Sequence, residues 1–314
     1  MLTGLPSFIL MPFAFALFCL NLAFNGTLVF LGGLLKTLIP VKAFHQLLYC
    51  PMHTFYRLWT YNNTLILRLI NRSEWEIKGA ENLSKDAWYL ILANHQSWLD
   101  ILVIAEVARQ HTPEPKFFLK ESLKKIPFLG MACWALDMPF MKRYSKAFVA
   151  KNPHLKGQDI ETTKKSCQSF RDHPTTIINF VEGTRFTKRK HERQQSPFRY
   201  LLKPKAGGIA FTLATLGEQF DKVLNITVLY PDNPGHVMKD MLKGKLGKVI
   251  VHIEAIDINQ ALIGDYFEDP EFKAHFQEWL NQQWLDKDQL IHRLYCQQEQ
   301  EEALKNQISP HQST

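Results

Sequence analysis

The first 35 residues, MLTGLPSFILMPFAFALFCLNLAFNGTLVFLGGLL, hold no Asp, Glu, Lys or Arg. A helix that crosses a bilayer needs about 20 predominantly apolar residues, so this run belongs in or on a membrane. Asn21, Asn25 and the Gly32–Gly33 pair interrupt it. Two readings therefore stand side by side: a single span, and a shallow helical hairpin whose second helix continues through FHQLLYCPMHTFYRLWTY. A cleaved signal peptide does not fit, because its basic n-region is missing and the apolar stretch is too long.

Past residue 70 short apolar runs alternate with helical periodicity. EWEIKG (74–79) and WYLILAN (88–94) predict strands, the second apolar enough to be buried on both faces. SWLDILVIAEVARQ (97–110) predicts a helix, KFFLK (116–120) a strand, and DIETTKKSCQSFRDHP (159–174) a helix stopped by Pro174. TTIINFVEG (175–183) reads as a β-branched strand closing on glycine. AGGIAFTLATLG (206–217) reads as a helix, and KVLNITVLYP (222–231) and KVIVHIEAIDI (248–258) as further strands. Strands alternating with helices predict an α/β fold, a mixed, largely parallel sheet flanked by helices.

PEFKAHFQEWLNQQWLDKDQLIHRLY (270–295) carries Phe272, Phe276, Trp279 and Leu280 at helical spacing and predicts a terminal helix packed by that face. The Gln- and Glu-rich stretch 297–314 predicts a flexible tail. The chain thus divides into a membrane-associated helical segment (1–70), an α/β domain (71–296) and that tail.

A formal charge of +7 and a pI near 9.0 suit nucleic acid, an anionic membrane surface or acidic small substrates. The uncharged start selects the membrane. Basic residues (Lys36, Lys42, Arg57, Arg68, Arg72) follow the apolar run and none precedes it, which places the remaining chain on the cytoplasmic side. Cys19, Cys50, Cys133, Cys167 and Cys296 are scattered without C-x-x-C, and H-E-x-x-H is absent. Neither a disulfide framework nor a metal site is expected.

Ligands of open α/β sheets sit at the carboxyl ends of strands. Two such ends stand out here, LILAN running into His95 and IINFV running into EGTR (182–185). His95 and Asp100 form an H-x4-D pair, but so do His154/Asp159 and His252/Asp257. Chance alone supplies about 0.5 such matches in a chain of this composition, so spacing decides nothing. His154 lies in the loop NPHLKGQD, where Asp159 is placed to cap the next helix. His252 lies inside a strand and shares its polar face with Lys248 and Glu254.

His95 differs by standing at a strand end, before a helix. Residues five apart on a straight helix lie about 140° apart around its axis. The pair therefore requires His95 outside the helix and Asp100 in its first turn. SWLD also fits a capping box, with Ser97 as N-cap and Asp100 at N3, so this stretch alone leaves catalysis and capping open. NFVEGTRF adds Gly183 at a strand-to-turn junction, Thr184, and Arg185, whose planar charged fork suits phosphate oxygens. Lys188, Arg189, Lys190 and Arg193 read as a solvated or headgroup-facing surface.

NHQSWLD, FFLKESLKKIPFLG, PFMKR and FVEGTR, in this order and at these intervals, resemble the four blocks of the 1-acylglycerol-3-phosphate acyltransferase family over roughly residues 74 to 260. ACWALDMPFMKRYS and NFVEGTRFT resemble one branch of it, which holds bacterial inner-membrane acyltransferases and lysocardiolipin acyltransferases. The resemblance implies acyl transfer from acyl-CoA or acyl carrier protein to the free hydroxyl of a lysophospholipid, foremost 1-acylglycerol 3-phosphate. It implies a bacterial inner-membrane location with the catalytic domain on the cytoplasmic side. By the same resemblance His95 is the general base and Asp100 orients it. Glu182, Gly183, Thr184 and Arg185 hold the acceptor phosphate, with Lys120 and Arg143 as supporting cations.

Backbone N–H groups at the start of the 97–110 helix are the expected oxyanion donors. No cofactor, metal or nucleic-acid partner is expected. IPFLGMACWALDMPFM (126–141) is short and broken by Asp137, which predicts a buried segment or acyl-chain wall and not a second span. Asn225 stands where many family members, though not the lysocardiolipin-like branch, carry proline, which loosens the identity of the acceptor. The alternatives are another acceptor, such as lysocardiolipin, or a non-catalytic anionic-lipid-binding protein on the same scaffold.

Overall fold

The structure, a computed structural model, describes Leu2 and residues 4–141 and 173–308. Arg143, the His154/Asp159 pair and the expected helix 159–174 up to residue 172 lie outside the described residues.

The apolar start forms two helices, α1 (Ser7–Leu38) and α2 (Lys42–Ile70). They pack against each other as an antiparallel hairpin. Of the interruptions of α1, Asn21 and Gly32 lie on the contact face with α2, and Gly33 faces α4 (Leu129–Ala135). Asn21 Nδ2 donates to Trp59 O and Asn63 Oδ1, both at 2.9 Å. Its Oδ1 accepts from Asn25 at 2.8 Å and Asn62 at 3.1 Å. Leaving such groups buried and unpaired costs about 1–3 kcal/mol each, so the network favours one register. A Cβ on Gly32 would come within 2.5 Å of Met52, and one on Gly33 within 2.5 Å of the Ala135 methyl.

The outer surface of α1 is largely apolar. Phe8 is 78% exposed, Leu20 66%, Phe24 62% and Leu38 74%, a surface that water alone does not favour. Among the described residues α1 is the one helix long and apolar enough to cross a membrane.

Six strands, β1 (Trp75–Lys78), β2 (Tyr89–Ala93), β3 (Pro115–Phe117), β6 (Thr176–Phe180), β7 (Lys222–Leu229) and β8 (Val249–Asp257), make the main sheet in the order β1-β8-β7-β2-β6-β3. Strands β7, β2, β6 and β3 run parallel, while β8 runs antiparallel to β7 and parallel to β1. Central β2 is buried along its whole length. Tyr89, Ile91 and Ala93 face the core shared with the hairpin and α3 (Leu99–His111). Leu90 and Leu92 face the core beneath α6 (Ala206–Leu216) and α8 (Pro270–Ile308). In register, Ala93 is level with Phe180 and with Ile226. The chain therefore leaves β2 and β6 at one edge of the sheet, and β7 passes that edge and ends beside them.

The predicted strand 116–120 divides. Leu119–Lys120 (β4) leaves the main sheet and pairs with Phe140–Met141 (β5) in a separate ribbon. Phe117 and Leu119 still pack in one core and Phe118 in the other. The period-2 pattern thus survives the change of partner, which is why the sequence reads as one strand. The apolar stretch 126–141 contains the short helix α4 (Leu129–Ala135) packed on α1, and Asp137 pairs with Lys36 at 2.7 Å. The terminal helix runs through the expected boundary at 297 as far as Ile308. Lys248 bonds Gln298 at 3.2 Å and pairs with Glu301 at 3.5 Å.

Candidate active site

Asn94 fixes the chain as it leaves β2. It is fully buried, donates to Val228 O at 3.0 Å and accepts from Val228 N at 2.9 Å, replacing one rung of the β2–β7 ladder. His95 follows, outside α3, with Asp100 in the first turn as the pairing required. The ring Nδ1 lies 2.8 Å from Asp100 Oδ2. The carboxylate oxygen only accepts, so Nδ1 carries the proton and Nε2 presents its lone pair. Among the described residues Nε2 has no hydrogen-bond partner. Phe180, at the end of β6, stacks on the imidazole at 4.1 Å, and the side chain is 12% exposed.

Asp100 is fully buried and serves two purposes at once. Its Oδ2 also accepts the backbone N–H of Gln96 at 2.6 Å and of Ser97 at 2.9 Å. This is the reach-back of a capping box, while Ser97 Oγ accepts from Leu99 N at 3.2 Å. Its Oδ1 accepts from Tyr230 OH at 2.8 Å. Burial and the adjacent carboxylate hold the Tyr230 phenol well above its usual range, so it remains a donor. Three of the N–H groups around the start of α3, those of Gln96, Ser97 and Leu99, are thereby engaged within the loop.

The second loop leaves β6. Gly183 has φ +67, left-handed backbone that glycine adopts without strain, and its N–H returns to Phe180 O at 2.8 Å. Arg185 is exposed and its guanidinium lies 4.8 Å from the Trp98 ring, at the start of α3. Lys190 Nζ donates to Thr184 Oγ1 and to Arg185 O, each at 2.8 Å. It sits inward on the short helix α5 (Lys188–Gln194), whose N-cap Thr187 accepts the Lys190 N–H. Partial burial and the cations Arg185, Lys120 and Arg193 lower the Lys190 pKa. Lys120, at the end of β4, is exposed and adds to the same positive field. Phe186 N donates to His95 O at 2.7 Å and ties the two loops together.

Glu182 is placed differently from the other predicted phosphate-loop residues. It is 1% exposed, beneath the loop and away from the opening. Burial raises its pKa to about 8. The His95 and Leu202 N–H groups and the Lys287 ammonium oppose that rise, but none reaches a carboxylate oxygen at hydrogen-bonding geometry. Lys287 comes from α8, is 2% exposed, and donates to Leu92 O at 3.2 Å and Ile226 O at 2.5 Å. Burial lowers its pKa to about 7.

An apolar cavity of about 100 Å³ begins at Trp98 and runs between α3, the hairpin and α4, with Ile101, Phe117, Cys133 and Met138 in its walls. Segment 126–141 thus supplies part of an apolar wall, as expected. Among the described residues no cluster of His, Cys, Asp and Glu could hold a metal ion. Of the two described H-x4-D pairs, only His95/Asp100 closes. Asp257 instead pairs with Lys222 at 2.9 Å, and His252 Nδ1 has no partner among the described residues.

Tyr230, Asn94 and Lys287 were not singled out by sequence reasoning, and Lys190 was read only as part of a basic surface run. Lys287 had a usable signal, because it interrupts the apolar stripe Phe276, Leu280, Trp284, Ile291. Lys190 had a weaker one, three residues past a capping threonine.

Residues 74–229 match the family described as Acyltransferase. Lysocardiolipin acyltransferase 1 of Danio rerio is 23% identical over 222 residues, 66% of this chain and 52% of that relative. 1-acyl-sn-glycerol-3-phosphate acyltransferase 2 of Brassica oleracea is 26% identical over 215 residues, 64% of this chain and 50% of that relative. The chain spans about half the length of these curated relatives. The crystal structure of the 1-acyl-sn-glycerophosphate (LPA) acyltransferase PlsC from Thermotoga maritima has the same fold, with TM-score 0.54 and 18% identity, covering 90% of this chain and 95% of that one.

Proposed function

The chain belongs to the acyltransferase family through residues 74–229, and on that premise we propose that it moves a fatty acyl group from a thioester donor to the free hydroxyl of a lysophospholipid, foremost 1-acylglycerol 3-phosphate. The observation that carries this reading is the His95 Nδ1 contact to buried Asp100 at 2.8 Å, which leaves Nε2 as a base at the opening.

In the proposed step Nε2 takes the proton of the acceptor hydroxyl as its oxygen attacks the thioester carbonyl. Asp100 holds the ring in this tautomer and stabilises the imidazolium that forms. The tetrahedral intermediate collapses, the C–S bond breaks, and the thiolate leaves with the proton from Nε2. Arg185 holds the acceptor phosphate with Lys190 and Lys120 beside it, so the reacting hydroxyl is positioned before attack. Thr184 and Gly183 shape the loop. A protonated Glu182 supports it from below without placing a second negative charge near the phosphate. The donor's acyl chain lies in the apolar cavity that begins at Trp98.

The donor is acyl-CoA or acyl carrier protein, and the site is the cytoplasmic face of a bacterial inner membrane. The uncharged first 35 residues and the basic residues that follow them support that location. Lysocardiolipin as acceptor is the second reading, favoured by the similarity to lysocardiolipin acyltransferase 1. A protein that only binds lipid has no need of a histidine oriented by a buried carboxylate. The test incubates the purified protein with palmitoyl-CoA or palmitoyl-acyl carrier protein and a panel of lysophospholipids, and identifies the product by mass. Preferred formation of phosphatidic acid supports the first reading and of an acylated lysocardiolipin the second. No product with any pair overturns both.

A further inference from the structure

A second cavity, of about 320 Å³, lies where the hairpin meets the sheet. Thr175 and Lys116 line it, at the amino ends of β6 and β3. Residue 176 is level with Tyr89 in β2, whereas His95 lies beyond the other end of that strand. At about 3.3 Å per residue the cavity and the imidazole are about 15 Å or more apart. None of His95, Asp100, Arg185 or Lys190 lines it.

Its charge is unbalanced. Lys36, Lys42 and Lys116 line it against one carboxylate, Asp137, and Lys116, which is buried, already donates to Leu136 O at 2.5 Å. Asp137 is already engaged by Lys36 at 2.7 Å, and among the described residues Lys42 has no ion pair. His53, 4% exposed, has an Nδ1 without a hydrogen-bond partner among the described residues. The Tyr49 ring is stacked between His53, at 3.9 Å, and His173, at 4.2 Å. One wall is therefore flat and aromatic, and the others present ammonium groups. A phosphomonoester carries about −1.5 to −2 at pH 7 and several strong acceptor oxygens, which suits a lining in which lysines outnumber carboxylates.

The position of the cavity identifies where that phosphate comes from. Lys36 and Lys42 flank the hairpin turn, and beside them Leu38 is 74% exposed, Val41 53% and Leu47 69%. Ammonium groups next to exposed aliphatic side chains are the arrangement of a lipid interface, where the chains enter the hydrocarbon and the charges stay at headgroup depth. We propose that this cavity is a second anion site, separate from the Arg185 opening, and that it takes the phosphomonoester headgroup of a membrane phospholipid. It stands independently of the transfer reaction.

The test follows the thermal unfolding midpoint of the full-length protein in detergent micelles. Dioctanoyl phosphatidic acid, dioctanoyl phosphatidylcholine and inorganic phosphate are titrated separately into Arg185→Ala protein, in which the other phosphate opening is crippled. Phosphatidic acid is expected to raise the midpoint saturably. Adding Lys42→Gln, at an exposed position, is expected to raise the half-saturating concentration about tenfold, the loss of one charge-assisted contact. No saturable rise, or a rise indifferent to Lys42→Gln, overturns the site. An equal rise with inorganic phosphate or with phosphatidylcholine overturns the assignment to a phosphomonoester lipid.

Discussion

Tyr230 donates its hydroxyl to Asp100 Oδ1 at 2.8 Å from a strand end 130 positions further along the chain. The carboxylate that orients His95 is thus held from both sides, by its own loop through Oδ2 and by β7 through Oδ1. Tyr230→Phe removes a donor from a buried charged acceptor, which should cost about 1.5–3 kcal/mol of stability. Turnover should fall less than in His95→Ala, because the Nδ1 bond survives. Denaturant midpoints and initial rates on the same preparations measure both effects, and an unchanged midpoint would remove Tyr230 from this role.

His95→Ala should lower kcat by about 10²- to 10⁴-fold with a far smaller change in thermal midpoint. Asp100→Asn should damage both rate and stability, because the same oxygens receive Gln96 N, Ser97 N and Tyr230 OH. Thiol release from palmitoyl-CoA reads the rate. Undiminished release in His95→Ala would end the general-base assignment.

Arg185→Ala should raise KM for a phosphate-bearing acceptor about tenfold and leave KM for the thioester nearly unchanged. Arg185→Lys should recover only part of this, since an ammonium lacks the planar fork stacked on Trp98. A change confined to the thioester constant would move Arg185 to the donor side.

Glu182 keeps its proton to about pH 8 in the fold but titrates near 4.5 when unfolded. Between those values the folded state binds more protons, so this group makes stability fall as pH rises, by up to about 1.4 kcal/mol per unit. Lys287 acts in the opposite sense. Its pKa is about 7 folded and 10.5 unfolded, so it makes stability rise with pH across that interval. The unfolding free energy of wild type minus that of Glu182→Gln should therefore decrease from pH 5.5 to 7.5. A flat difference would mean an ionised Glu182 in the folded protein.

Gly33→Val should destabilise the hairpin's packing on α4 by about 1–3 kcal/mol, since even a Cβ there meets the Ala135 methyl at 2.5 Å. Gly207→Ala is the control, because its Cβ would meet nothing nearer than 3.9 Å, in a helix. It should be neutral or stabilising by about 0.5–1 kcal/mol. Thermal midpoints in detergent distinguish the two, and equal behaviour would discount close helix packing at Gly33.

Much of the site was legible because its partners are near in sequence. His95 and Asp100 are five residues apart, and a strand end followed by a capping box leaves few ways to arrange them. Orienting His95 and capping looked like rivals, yet one carboxylate does both, since each needs only a lone pair and Asp100 has enough for four donors. Tyr230 was illegible because its place depends on the register of β7 against β2, which local pattern does not specify. Glu182 could be read as part of a loop motif, but its burial depends on α8 closing the far face of the sheet. Asn21 of α1 looked like a flaw in a span until α2 supplied its partners.

The bond from Phe186 N to His95 O has a consequence for regiochemistry. It joins the turn carrying His95 to the turn carrying Arg185 through main chain alone, so the span between them is a property of the scaffold. Under the proposed reaction, which hydroxyl of a polyol phosphate is acylated is set by its reach from the anchored phosphate. Side-chain substitutions in either turn would then alter affinity and rate while the acylated position stays the same.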